Sequence, residues 1–130
     1  MNSKIIIASG PVIVEDNKVL LNKSGDDDFW KFCGGKIGDS ENLIETAQRR
    51  IKEEMGLEIK IINREAFLMY TKKPGEPEID VILAHFLAEK INRVAPGEMV
   101  KEWEWFAIDN LPDNLAPNIK PTLKHFGFIS

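Results

Sequence analysis

Residues 35–57 read GKIGDSENLIETAQRRIKEEMGL, and the organisation of the chain follows from this stretch. Asp39 or Ser40 can accept the free amides at the start of a helix whose first turn carries Glu41. Gly56 stands where a helix closes in the left-handed conformation after Met55, so the spacing predicts a helix over about 41–55. At about 100° per residue, Leu43, Ile44, Ala47, Ile51 and Met55 share one stripe, which marks the face that packs on a core. Asn42, Thr46, Arg49, Arg50 and Glu53 fall on the other face. Glu54 lies between Arg50 and the apolar stripe, where a carboxylate needs a partner or a metal to offset its desolvation. With Glu53 it offers hard oxygen ligands suited to magnesium; the bland alternative is a solvated, charged helix face.

Upstream, Lys4 to Val14 and Val19 to Asn22 are rich in Ile, Val and Leu and flank Glu15-Asp16-Asn17-Lys18, so two strands joined by a turn open the chain. Gly10 and Pro11 break the apolar run that otherwise looks like a signal-peptide core, and the segment reads as a strand. The Asn22-Lys23-Ser24 triplet matches a glycosylation acceptor, a pattern common by chance. Phe29-Trp30-Lys31-Phe32 leads into Gly34 and Gly35, where backbone is free to approach a ligand closely.

Downstream, Leu57 to Ile62 and Ala66 to Tyr70 read as strands and Lys72 to Glu78 as a loop. Ile79 to Ala88 is apolar on both alternating faces, as a central strand covered on both sides would be. Val100 to Phe106 alternates, with Trp103 and Trp105 on a dry side and Glu102 and Glu104 on a wet one. Asn118 can cap a last helix over about 119–126, which Gly127 ends. The sum is a mixed sheet with two main helices in one domain over residues 1–130.

The 130 residues are 43% hydrophobic and 29% charged, with 17 basic and 21 acidic side chains for a net charge of −4. This is a globular composition, too apolar for intrinsic disorder and without the run of about 20 apolar residues that a bilayer requires. The acidic balance gives no reason to expect binding to polymeric nucleic acid or to a membrane surface. The one cysteine, Cys33, has no internal partner and fits a cytoplasmic protein; it reads as a packed small hydrophobe rather than a reactive thiol.

Gly35, Glu41, Arg49, Ile51, Glu53, Glu54, Gly56 and Leu57 are spaced so that the stretch resembles the Nudix box, GX5EX7REUXEEXGU with U a bulky aliphatic. Trp30, Gly34, Lys36, Glu102 with Trp105, and Leu111-Pro112 also fall where many members of that family have comparable residues. The resemblance implies an α/β/α sandwich with a mixed sheet and a magnesium- or manganese-dependent hydrolase. Such an enzyme cleaves the pyrophosphate linkage of a nucleoside di- or triphosphate derivative: a nucleoside triphosphate, an oxidised one, ADP-ribose or similar. It further implies Glu53, Glu54 and the Gly34 carbonyl as metal ligands, Lys23 and Lys36 as phosphate contacts, and Gly35, Glu41, Arg49 and Gly56 as the scaffold of the box. Either lysine reads equally as a solvated surface residue.

The box asks for glutamate after Arg49, and this chain has Arg50. Three readings are open. The enzyme works with fewer metals and takes its base from another loop, with Glu102, which matches a loop glutamate of mutator-type members, as the candidate for both catalysis and metal binding; Arg50 itself binds substrate phosphate, which a guanidinium matches bidentately; or catalysis is impaired and the domain is a nucleotide-binding or protein-interaction module. Cys33 and Gly38 are lesser departures, at positions where proline and an acidic residue are frequent.

Asn118 resembles a base-contacting asparagine of the mutator-type enzymes, and Pro74 stands where ADP-ribose pyrophosphatases carry a marker proline. Trp30, Phe67, Tyr70, Trp103 and Trp105 are candidates for stacking on a base. His85, in a buried strand, and His125, near a helix end that favours a cation, take no catalytic role. The expected partner is a small nucleotide, and homodimers are frequent among relatives.

Overall fold

A computed structural model describes residues 4–73 and 75–130. Pro74 lies outside them. Strand β1 (Lys4–Glu15) turns into β2 (Lys18–Ser24) through Asp16 and Asn17, whose φ angles of 52° and 60° are those of a tight two-residue hairpin turn. Asp and Asn tolerate that left-handed region better than other non-glycine residues, which is why the turn falls here and is shorter than the pattern suggests. The short β3 (Gly35–Lys36) precedes helix α1 (Leu43–Met55), followed by β4 (Ile59–Ile61), β5 (Phe67–Lys73), β6 (Glu76–Lys90), β7 (Val100–Ala107) and α2 (Ile119–His125).

The sheet runs β4-β6-β1-β2-β7, with β5 also on β6 and β3 also on β1. β6 is parallel to β1 from Lys4↔Ile79 to Ile13↔Ala88 and antiparallel to β5 and β4, so the sheet is mixed. Alternation along the strands feeds two cores. Val12, Val19 and Leu21 face Ile119 and Leu123 of α2, whereas Ile13 and Leu20 face Ile51 and Met55 of α1. The helices therefore cover opposite faces, and each fully buried side chain such as Ile51 or Met55 contributes about 1.5–3 kcal/mol.

Several expectations are corrected. The helix begins at Leu43, because Asn42 rather than Asp39 or Ser40 is the cap: Asn42 Oδ1 accepts from Glu45 N at 2.8 Å and Glu45 Oε1 accepts from Asn42 N at 2.9 Å. That reciprocal pair satisfies two helix-end amides at once, while Ser40 sits at φ 62° in the preceding turn. Thr46, placed on the wet face, is fully buried, its hydroxyl bonded to Glu41. The loop over Lys72 to Glu78 is mostly strand, with Lys72↔Asp80 and Lys73↔Glu76 in register. Trp103 is exposed, because β7 is an edge strand, paired among the described residues only with β2, and its dry face reaches only as far as Trp105. No described helix is long and apolar enough to cross a membrane.

Candidate active site

β1 shares one of its edges between two partners. β2 pairs with it at Val14 and Glu15, and β3 pairs with it at Ala8 and Ser9. Where these partners diverge, Gly34 passes against Gly10: a Cβ on Gly10 would stand 2.0 Å from the Cys33 carbonyl oxygen, and Gly34 adopts φ 143°, which favours glycine. This contact aims the Gly34 N–H at α1, where it donates to Glu54 Oε1 at 2.7 Å. Burial pushes the Glu54 carboxyl above the usual carboxylate range, partly offset by the Gly34 N–H and the cationic Arg50 and Lys31.

Arg50 does not point away from the site. Its guanidinium lies on Gly35, so closely that a Cβ there would meet Nη2 at 1.9 Å, and its Nη1 is 3.5 Å from Glu53 Oε1. Arg50 Nε is buried without a hydrogen-bond partner among the described residues. Arg49 grips the loop instead: Nε and Nη2 donate to Glu41 Oε2 and Oε1 at 2.7 and 3.0 Å, and Nη1 donates to both oxygens of Glu53 at 3.0 and 3.1 Å. Glu41 also accepts from Gly38 N and the Thr46 hydroxyl, so the loop and the helix are locked by charge-assisted bonds.

The Arg49 hydrogen bonds, with that of Thr46, hold the Glu41 carboxyl down to about 2 from its ordinary 4.5. A depressed value means that stability is present above the ordinary carboxylate range and is lost as pH falls through the folded value. Glu41→Gln is therefore expected to lower Tm at neutral pH and to remove part of the decline between pH 4.5 and 2. Melting curves recorded from pH 7 to 2 check this, and superimposable curves for the two proteins would dismiss the lock.

On the α2 side of the sheet, the same glycine loop opens on a cavity of about 300 Å³. Val81, Leu83, Met69, Phe29, Phe32, Ala116 and Pro117 make most of its apolar lining, and Ser9, Lys31, Tyr70, Thr71, Lys72, His85 and Asn118 are its polar residues, with Gly34 and Gly35 at the junction with α1. Tyr70 and Lys72 both bond to Asp80 Oδ1 at 2.7 Å, which fixes one wall. Asn118 does not cap α2 with its side chain; its Nδ2 is 2.8 Å from His85 Nε2, and the Thr122 hydroxyl donates to its carbonyl. Burial pushes the His85 pKa down to about 4, so the ring is neutral at physiological pH.

The NUDIX domain family model matches residues 6–126. The chain belongs to this family. Among curated relatives, the 8-oxo-dGTP diphosphatase of Proteus vulgaris is 30% identical over 88 residues, 65% of this chain and 75% of that protein. The protein of the same description from Buchnera aphidicola subsp. Schizaphis graminum is 36% identical over 52 residues, which cover 37% of this chain and only 40% of that protein. The crystal structure of a MutT NUDIX hydrolase from Burkholderia pseudomallei superposes with a TM-score of 0.78 at 24% identity, covering 93% of this chain and 97% of the other, and shows the shared fold.

Within the NUDIX domain the structure brings Gly34, Gly35, Glu41, Arg49, Arg50, Glu53 and Glu54 into one contiguous network. Gly56 ends α1 at φ 65°. Glu102 and Lys23 form a separate pair on β7 and β2, with Nζ 3.5 Å from Oε2 and the Lys23 ammonium 4.9 Å over the Trp30 ring. The Lys23 side chain is only 14% exposed, so it is no solvated surface lysine, and Glu102 stands in a strand rather than a loop. Lys36 is exposed on β3 and in no ion pair among the described residues. No three His, Cys, Asp or Glu side chains among the described residues form a metal-holding group. Cys33 is buried, its thiol pushed far up by burial and by Glu54.

Of the stacking candidates, Tyr70 lines the cavity, Trp30 packs edge-on to Phe106 at 4.7 Å, and Phe67 stacks on His125 at 4.3 Å. Sequence reasoning missed Lys31, Lys72 and the backbone of Ser9 and Gly10 as lining residues. The alternation Val81, Leu83, His85 could have indicated one face of the cavity, because positions two apart share a side of a strand.

Proposed function

We propose that the protein hydrolyses the pyrophosphate linkage of a nucleoside di- or triphosphate derivative, with the base in the cavity and the phosphates on the turn of α1 that carries Arg50, Glu53 and Glu54. One observation carries this reading: Gly34 binds Glu54 through its N–H while its backbone lines the cavity, so phosphate chemistry and base binding meet at one residue. A cavity of about 300 Å³ with a mainly apolar lining and few polar groups suits a planar heterocycle.

The donor set fits one divalent cation. Glu54 Oε1 is taken by Gly34, leaving Oε2 without a protein partner among the described residues, and Glu53 stands beside it on the same turn. Where a further carboxylate would hold another ion, Arg50 places a guanidinium. Magnesium or manganese held by Glu53, Glu54 and the Gly34 carbonyl would neutralise phosphate charge and lower the pKa of a bound water. The side chain of Arg50, its Nε without a hydrogen-bond partner among the described residues, binds and orients the phosphate, and Lys36 adds charge from β3. Glu102 is the candidate base for the attacking water, but it stands in the separate pair with Lys23 and must leave that pair to reach the site.

The test is phosphate or nucleotide release from nucleoside triphosphates, oxidised purine triphosphates, ADP-ribose and dinucleoside polyphosphates with magnesium or manganese. Turnover by the natural protein is expected, with Arg50→Ala lowering kcat/KM by about ten- to a hundredfold as a charge-assisted phosphate contact is lost. Glu102→Gln should lower kcat. The position of Arg49 and Arg50, both on Glu53, favours one other reading, a nucleotide-binding or protein-interaction module with an impaired site. A natural protein silent on every substrate, with activity appearing in Arg50→Glu, would establish that reading instead.

A further inference from the structure

A buried imidazole with only one nitrogen in a well-formed hydrogen bond calls for an explanation, because a poorly satisfied polar group inside a protein is costly. His85 is such a group. It is 5% exposed in the middle of β6, its ring tilted against Phe32 at a centroid distance of 4.9 Å, and its Nδ1 is buried with no well-formed hydrogen bond among the described residues, the ring having only the Gly10 backbone beside it as a further partner. Its Nε2 meets Asn118 Nδ2 at 2.8 Å. Both residues line the cavity.

We infer that His85 is a positioning residue for substrate selection: its Nε2 accepts from the Asn118 amide and fixes that amide so that Oδ1 is left for a hydrogen-bond donor on the base. Two constraints make the arrangement stiff. The Thr122 hydroxyl, 2.6 Å from the Asn118 carbonyl, holds the backbone, and Phe32 holds the ring. An amide has one acceptor face and one donor face, so whatever fixes its rotation decides which complementary edge it accepts. With Nδ2 committed to His85, Oδ1 has no protein partner among the described residues, and the ligand class is a planar base that presents an N–H or amino donor at this end of the cavity. The pairing also fixes the ring as the Nδ1–H tautomer, because an Nε2 that accepts a hydrogen bond carries no proton.

This inference rests on the proposed nucleotide hydrolysis, and the test separates the two. Kinetics with ATP, GTP and inosine triphosphate are measured alongside direct binding of inorganic tripolyphosphate, which has no base. For the natural protein a preference among the three purines is expected. In His85→Leu, KM for the preferred nucleotide should rise about tenfold and the preference in kcat/KM should shrink about tenfold, the size expected for one ligand hydrogen bond, with kcat, Tm and tripolyphosphate affinity retained. His85→Gln, whose side-chain oxygen can replace Nε2 as acceptor, should restore most of the preference. Nitrogen NMR of the unliganded natural protein should show the neutral Nδ1–H tautomer at His85.

An Nε2–H tautomer would turn the amide the other way and overturn the inference, as would a preference that is absent or survives in His85→Leu. Turnover and tripolyphosphate binding with either result leave the hydrolase reading standing and remove only the role of His85. Absence of both turnover and tripolyphosphate binding removes both.

Discussion

Glu54→Gln should abolish most turnover while leaving the fold intact, a loss of about a hundred- to a thousandfold in kcat, comparable to removing a group that acts only on developing charge. The substitution keeps the shape of the side chain and an oxygen for the Gly34 N–H, so the loop stays in place. It removes the anion that the phosphate site requires. Stability should move the other way. Because burial raises the Glu54 pKa, this carboxylate contributes stability below the ordinary carboxylate range and loses it as pH rises through its folded value. A neutral amide escapes that cost, and the variant should melt at or above the natural protein at pH 7 while losing any rise in Tm caused by magnesium chloride. Parallel assays of turnover and of melting with and without magnesium decide the matter. Retained turnover would remove Glu54 from the site, and a lower Tm would show the bond to Gly34 to matter more than the buried charge.

Gly10→Ala should be the most damaging small substitution. Its Cβ would lie 2.0 Å from the Cys33 carbonyl oxygen, 2.9 Å from Gly34 Cα and 3.0 Å from the Cys33 carbonyl carbon, all backbone atoms that no side-chain rotation can clear. The expected cost is about 3 kcal/mol or more, equivalent to a fall in Tm of about 10 °C for a domain of this size. Turnover should fall further than stability accounts for, because the loop must move and takes the Gly34 N–H away from Glu54. Gly25→Ala is the control for backbone conformation, since its φ is left-handed at 59°, which that of Gly10 is not, and nothing lies within 4 Å of the new Cβ; it should cost about 1 kcal/mol. A loss at Gly10 no larger than that at Gly25 would dismiss the close approach to Gly34 as what Gly10 supplies.

These two residues mark the limits of what the linear sequence carries. Glu54 is legible because its meaning is local: the 3.6-residue period and the box spacing place it on the border of the apolar stripe, and the structure finds it there, half-buried. The box scaffold is legible for the same reason, with Arg49 reaching Glu41 across little more than two helical turns of chain. Gly10 reads only as an interruption of an apolar run, because what gives it significance is Gly34, which arrives from a different element. His85 and Asn118 likewise come together from β6 and the start of α2, and a polar residue ahead of a helix looks like a cap until its partner is known. Even local signals competed. Asn42 with Glu45 offers a reciprocal cap that Asp39 and Ser40 lack, and it moved the helix start into the chain. Trp103 shows the converse, since alternation identifies a side of the strand but not whether anything covers it at the sheet edge.

The pairing of β1 with β6 also has a temporal side. Residues 4–13 are synthesised before their parallel neighbours, residues 79–88, so β1 waits for the whole intervening stretch before its main ladder can close. Only the hairpin to β2 and local contacts are available to it earlier. Closing so large a loop is entropically expensive and slow, and during that interval Ile5, Ile6, Ile7 and Val12 to Val14 form an apolar strand edge open to other chains. Refolding yield should therefore depend on protein concentration far more steeply than the stability of the finished domain suggests, with the amino-terminal strand as the place where misassembly begins.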